Sequence, residues 1–229
     1  MKEDKADAVK TFSNFIEGDS NRLARAMALA VSENPGGSYN PLYIYGGRGV
    51  GKSHLLSAIA SYSKERGLKT ALYHFDESTK GDHTNSSLPD MIIVDDIDFS
   101  KPTVIKDLLA FAEEGGQLVL SGIIAAEKLP ANALSTLIDK KGKSADIQMP
   151  EEELRIAILK AKASDDDAIL PQDAALFIAQ HLNGDIQTLL GGYERVKALS
   201  SLSGQTITRF SAIQALKDYL WLEENKPVG

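Results

Sequence analysis

The residues best suited to chemistry lie in Gly46-Gly47-Arg48-Gly49-Val50-Gly51-Lys52-Ser53, which matches the pattern G-x-x-x-x-G-K-[ST]. Backbone N–H groups along Gly46, Gly47, Gly49, Val50 and Gly51 can turn inward around an anion, because the glycines put no Cβ in the way. A helix starting near Gly51 aims its positive end at the same place. Lys52 can reach the outer phosphates, and the Ser53 hydroxyl can take a magnesium position. His54, next along the helix, supports this site rather than acting as a catalyst. A second chemical feature is the apolar run Met91-Ile92-Ile93-Val94, which ends in Asp95-Asp96-Ile97-Asp98. Beside a phosphate loop, Asp95 is placed to orient magnesium through water, and Asp96 is the candidate catalytic residue that polarises an attacking water.

Positioning these groups requires a strand before the loop and a helix after it. Leu42-Tyr43-Ile44-Tyr45 supplies the strand, and Leu55-Leu56-Ser57-Ala58-Ile59 continues the helix to about Arg66-Gly67. Further strands are expected at 70–75, 91–94, 117–121 and 145–149, the third strand of the series being apolar throughout, as in a parallel sheet buried on both faces. Helices are expected between them, including one opened by Lys101-Pro102 and one over 130–138. Ahead of the first strand, Asp19-Ser20-Asn21 can cap a helix with an apolar face of Leu23, Met27, Ala30 and Val31. The polar stretch 76–90 reads as a loop. Strand and helix alternate five times, so the fold class is α/β, with a five-stranded parallel sheet and helices on both faces. After Pro150 the pattern becomes wholly helical, over 151–163, 171–182, 185–202 and 208–222, with Asp185 and Thr208 as caps. The expected domains are therefore 1–149, which binds nucleotide, and 150–229, a small helical lid. Asp165-Asp166-Asp167 reads as a solvated loop, Trp221 as an anchor of the last helix, and His74, His83 and His181 have no metal-ligand spacing.

The chain has 229 residues, 43% of them hydrophobic and 25% charged, which is the composition of an ordinary globular protein. No apolar run approaches the roughly 20 residues needed to span a bilayer, and the charged N-terminus leads into no signal-peptide core. With no cysteine there is no disulfide or thiolate zinc site, which suits a cytoplasmic location. A formal charge of −7 argues against a broad duplex-DNA surface.

With these residues in place, the chain resembles the AAA+ module of the DnaA family of bacterial replication initiators, including the paralogue Hda. The similarity runs from Thr11-Phe12-Ser13-Asn14-Phe15-Ile16 through the phosphate loop and Ile93-Val94-Asp95-Asp96 to Ala145-Asp146-Ile147-Gln148-Met149-Pro150 and Arg155-Ile156-Ala157. The resemblance implies ATP or ADP with magnesium, bound beneath a helical lid. It also implies that the segment holding Phe15, Ile16 and Asn21 lies near the base. DnaA itself, the replicative helicase and the sliding clamp are the protein partners it suggests.

The departures from that family carry as much weight. DnaA has extra helices where this chain has only the polar stretch 76–90, which argues against a filament on single-stranded DNA. The family's arginine finger falls in a stretch matched here by Leu134-Ser135-Thr136-Leu137-Ile138-Asp139-Lys140, without arginine. Lys140, Lys141 and Lys143 lack the planar bidentate fork. Gln187 stands at the lid's sensor arginine, and Ser121 alone is left at the polar sensor after the fourth strand. Loss of an arginine finger costs on the order of 10³–10⁵ in turnover. No segment reads as the family's helix-turn-helix DNA reader or as Hda's clamp-binding peptide. The expectation is a nucleotide-binding regulatory protein with weak or no ATP hydrolysis. The alternatives are a helicase-loader-type ATPase whose finger comes from a partner, and an adaptor whose nucleotide site is structural or vestigial.

Overall fold

The computed structural model describes residues 9–74 and 89–224, the side chains of His74 and of 219–224 excepted. The sequence expectations for the polar stretch up to residue 88, for His83 and for the Trp221 side chain lie outside the described residues. The chain divides into two compact units, one of Met1–Glu17 and Asn21–Gln148, the other of Gly18–Ser20 and Met149–Gly229.

The first unit is built on five parallel strands: β1 (Leu42–Gly46), β2 (Thr70–His74), β3 (Met91–Asp95), β4 (Gln117–Gly122) and β5 (Lys143–Ile147). Their spatial order is β2-β3-β4-β1-β5. Strand residues alternate between two cores, as the pleat requires. Leu42, Ile44, Met91, Ile93, Val119, Ala145 and Ile147 face α1 (Arg22–Glu33) and α2 (Lys52–Glu65). Tyr43, Val94, Leu118 and Leu120 face α3 (Pro102–Glu113) and α4 (Ala133–Lys140). Each fully buried Leu or Ile contributes roughly 1.5–3 kcal/mol of transfer free energy, so the two cores position the loops at the strand ends firmly.

Several elements differ from the sequence expectation. The buried face of α1 is Ala24, Ala28 and Val31, while Leu23 is 55% exposed. The alanines bring the helix backbone close to the sheet, and that packing outweighs the larger transfer energy of a leucine. Asn21 precedes α1 without a capping bond; its Nδ2 donates instead to the Ile16 carbonyl at 3.0 Å. Strand β5 lies two residues earlier than expected, and Met149 is exposed beyond it. Helix α4 starts at Ala133, where Asn132 and Ser135 form a reciprocal capping box. A single 3-10 turn, Ala126–Lys128, precedes it and had no sequence signal.

The second unit contains α5 (Glu152–Asp165), α6 (Gln172–His181), α7 (Ile186–Ser203) and α8 (Arg209–Glu224). They enclose Leu159, Phe177, Ile178, Leu189, Tyr193, Val196 and Leu216. Asp185 caps α7 by accepting the Thr188 N–H at 2.9 Å. Thr208 and Ser211 cap α8 reciprocally, at 2.9 and 3.1 Å. His181 is structural: its Nδ1 lies 2.8 Å from the Phe177 carbonyl and its ring rests against Phe177. The expected solvated loop at 165–167 is corrected at its centre. Asp166 is only 15% exposed and accepts from Lys162 Nζ at 3.0 Å and Lys197 Nζ at 2.7 Å. Glu194 completes the cluster at 3.3 Å from Lys162 and 2.7 Å from Lys197, so charges tie the end of α5 to the middle of α7.

Candidate functional site

Strand β1 ends at Gly46, where the chain turns into the loop. An added Cβ at Gly46 would sit 2.2 Å from the Ile147 carbonyl oxygen of β5, so only glycine fits. Gly49 (φ 70°) and Gly51 (φ 110°) take left-handed conformations that favour glycine, and Gly51 precedes the first turn of α2. Lys52 begins that helix with its side chain 6% exposed. Its Nζ donates to the Gly46 carbonyl at 3.0 Å and the Gly47 carbonyl at 2.8 Å, folding the loop over its own ammonium. Ser53, by contrast, is exposed, and among the described residues its hydroxyl has no partner.

Two carboxylates stand where β3 ends, with different surroundings. Asp95 is buried, and its Oδ1 accepts the Ser121 hydroxyl at 2.6 Å. Asp96 takes a left-handed backbone (φ 53°), uncommon for a residue with a Cβ, and its side chain is 62% exposed. This turn carries Asp96 Oδ1 to 3.9 Å from Lys52 Nζ. The same Ser121 Oγ accepts the Asp96 N–H at 2.9 Å. Ser121 is fully buried on β4, and its one proton goes to Asp95. Its hydroxyl thus holds the two aspartates.

The segment before α1 packs along α2. Phe12 meets Tyr62 edge-on at 5.7 Å, Phe15 meets His54 edge-on at 5.3 Å, and His54 Nε2 lies 2.9 Å from Asn14 Oδ1. The Asn14–His54 pairing had no signal in the sequence. Burial, with a smaller push from the Lys10 charge, lowers the His54 pKa, and a bond with the Thr11 backbone opposes the shift. Phe15 is buried, Ile16 half-buried, and the buried Asn21 fixes the Ile16 carbonyl. Val50 is buried beneath the loop, whereas Gly47 and Gly49 lie along it.

Among the described residues no group of three or more acidic or histidine side chains forms a metal cage. The set present, one free hydroxyl at Ser53 and one oriented carboxylate at Asp95, fits a magnesium ion that arrives on a polyphosphate and keeps several waters. No described helix is long and apolar enough to cross a membrane.

Comparison with known proteins agrees with this fold. A family model described as the bacterial DnaA ATPase domain matches residues 7–140. Domain III of the Thermotoga maritima replication initiation protein DnaA is 27% identical, with 93% of this chain and 97% of that one covered and a TM-score of 0.79. AMPPCP-bound DnaA from Aquifex aeolicus is 23% identical over 97% of this chain and 72% of that one, with a TM-score of 0.73. A third structure, replication initiator DnaA bound to AMPPCP and single-stranded DNA, is 20% identical over 94% and 70%, with a TM-score of 0.72.

Proposed function

The chain belongs to the bacterial DnaA ATPase-domain family, and from that membership we propose that it is an adenine-nucleotide-binding regulatory protein of replication control. It binds ATP or ADP in the cytoplasm, hydrolyses slowly or not at all, and acts through contacts with replication proteins. The loop N–H groups and Lys52 hold the phosphates, while Ser53 and Asp95 hold the magnesium that accompanies them. Bound magnesium would neutralise phosphate charge. Asp96 stands where a water-polarising carboxylate is needed, and Phe15, Ile16, Asn21 and His54 shape the base end.

The observation that supports this reading is a glycine-rich loop folded over the Lys52 ammonium, in a chain whose stretch 134–140 holds no arginine. The residues for binding phosphate are in the loop, and the guanidinium that would stabilise a transferring phosphate is not in the stretch the resemblance assigns to it. Calorimetric titration of ADP and ATP with magnesium, beside Lys52→Ala and a steady-state ATPase assay, tests both halves. Binding at about micromolar Kd or tighter, lost in Lys52→Ala, with turnover far below the usual range, is the expected result. Rapid hydrolysis by the isolated protein would sink the regulatory reading, and no binding of either nucleotide would make the protein an adaptor.

A further inference from the structure

Arg48 stands within the phosphate loop, flanked by Gly47 and Gly49. Its side chain is exposed, and among the described residues it has neither a hydrogen bond nor an ion pair. The two acids where β3 ends have other partners: Asp95 bonds Ser121, and Asp96 lies beside Lys52. A strongly charged side chain at the tip of an anion-binding loop, with no carboxylate to neutralise it, adds to the positive field there.

Its position along the loop says which part of a ligand it meets. In a loop of this type the lysine reaches the β and γ phosphates. Here the Lys52 ammonium lies 2.8 Å from the Gly47 carbonyl, one residue from Arg48. Arg48 therefore sits at the terminal-phosphate end of the cradle and away from the base. A guanidinium is always charged and pairs with phosphate oxygens in bidentate fashion. We infer that Arg48 is a specificity-determining residue that contacts the terminal phosphate of a nucleoside triphosphate, so that the site distinguishes ATP from ADP through a cation on its own loop.

This inference rests on the nucleotide-binding reading given above. It supplies from the same chain a guanidinium that the stretch 134–140 does not offer. The experiment is calorimetric titration of the full chain with magnesium and either ADP or a non-hydrolysable ATP analogue, for wild type, Arg48→Ala, Arg48→Lys and Lys52→Ala. Loss of a charged hydrogen bond predicts that Arg48→Ala weakens the triphosphate by about tenfold or more while ADP changes by less than about threefold. Arg48→Lys keeps the charge without the fork and falls between the two. Arg48 is exposed, so these variants keep the fold, which a melting curve checks. Equal effects on both nucleotides, or none, with wild type still binding, would overturn the role of Arg48 and leave the nucleotide site standing. If wild type binds neither nucleotide and matches Lys52→Ala, both conclusions fall together.

Discussion

Ser121 donates its hydroxyl proton to Asp95 Oδ1 at 2.6 Å, from β4 to the neighbouring β3, with both side chains buried. Ser121 Oγ also accepts the Asp96 N–H, so one hydroxyl fixes a buried carboxylate and the strained residue after it. A buried carboxylate is tolerated only when hydrogen-bonded or paired, and this bond meets part of that demand.

Replacing Ser121 with alanine removes the donor to Asp95 and leaves the Asp96 N–H without its acceptor. The expected cost is about 1–3 kcal/mol of folding stability, read from urea unfolding. Nucleotide affinity should fall more in the presence of magnesium than in EDTA, because Asp95 loses the partner that orients it. An equal loss with and without magnesium would mean that Ser121 serves only the fold.

Gly46 and Gly191 make a contrast. A Cβ at Gly46 would meet the Ile147 carbonyl at 2.2 Å, backbone against backbone, with no flexible side chain to yield. Gly46→Ala should cost at least about 1–3 kcal/mol and weaken phosphate binding by moving β1 away from β5. At Gly191, inside α7, nothing lies within 4 Å of the added atom. Gly191→Ala should therefore stabilise by roughly 0.5–1 kcal/mol through helix propensity. Thermal and urea unfolding of the two variants side by side reads both signs.

The turn between β1 and α2 was legible in the sequence because its cause is local: the glycines at 46, 49 and 51 set its backbone within eight consecutive residues. The doubly buried strand β3 was legible because an unbroken apolar run ended in acids. Strand β5 was displaced because it is an edge strand beside β1 alone, with only Ala145 and Ile147 buried, so Met149 misled the reading. The phase of α1 was set by the close approach of Ala24 and Ala28, which tertiary packing decides and hydrophobicity does not. The bond from Ser121 to Asp95 joins residues 26 positions apart, and the cluster at Asp166 reaches 31 positions to Lys197; neither has a local signature.

That cluster makes the helical unit sensitive to pH. Burial raises the Asp166 pKa, but hydrogen bonds from Lys197 and Lys162 and their charges outweigh it, so the net shift is downward. A carboxylate with a depressed folded pKa contributes stability that is complete above its unfolded value of about 3.9. That contribution is lost as pH falls through the folded value. Besides the two lysines, Glu194 faces the group, and its pairs with Lys162 and Lys197 remain when Asp166 is neutral. Asp166→Asn should therefore lower stability by about 1 kcal/mol at neutral pH, the scale of partly exposed pairs. The difference from wild type should narrow as pH falls below about 4, because acid then neutralises the wild-type carboxylate as the substitution does. Urea midpoints for both proteins at pH 7, 5, 4 and 3 measure the gap, and a gap that stays constant would show that Asp166 acts through packing and not through its charge.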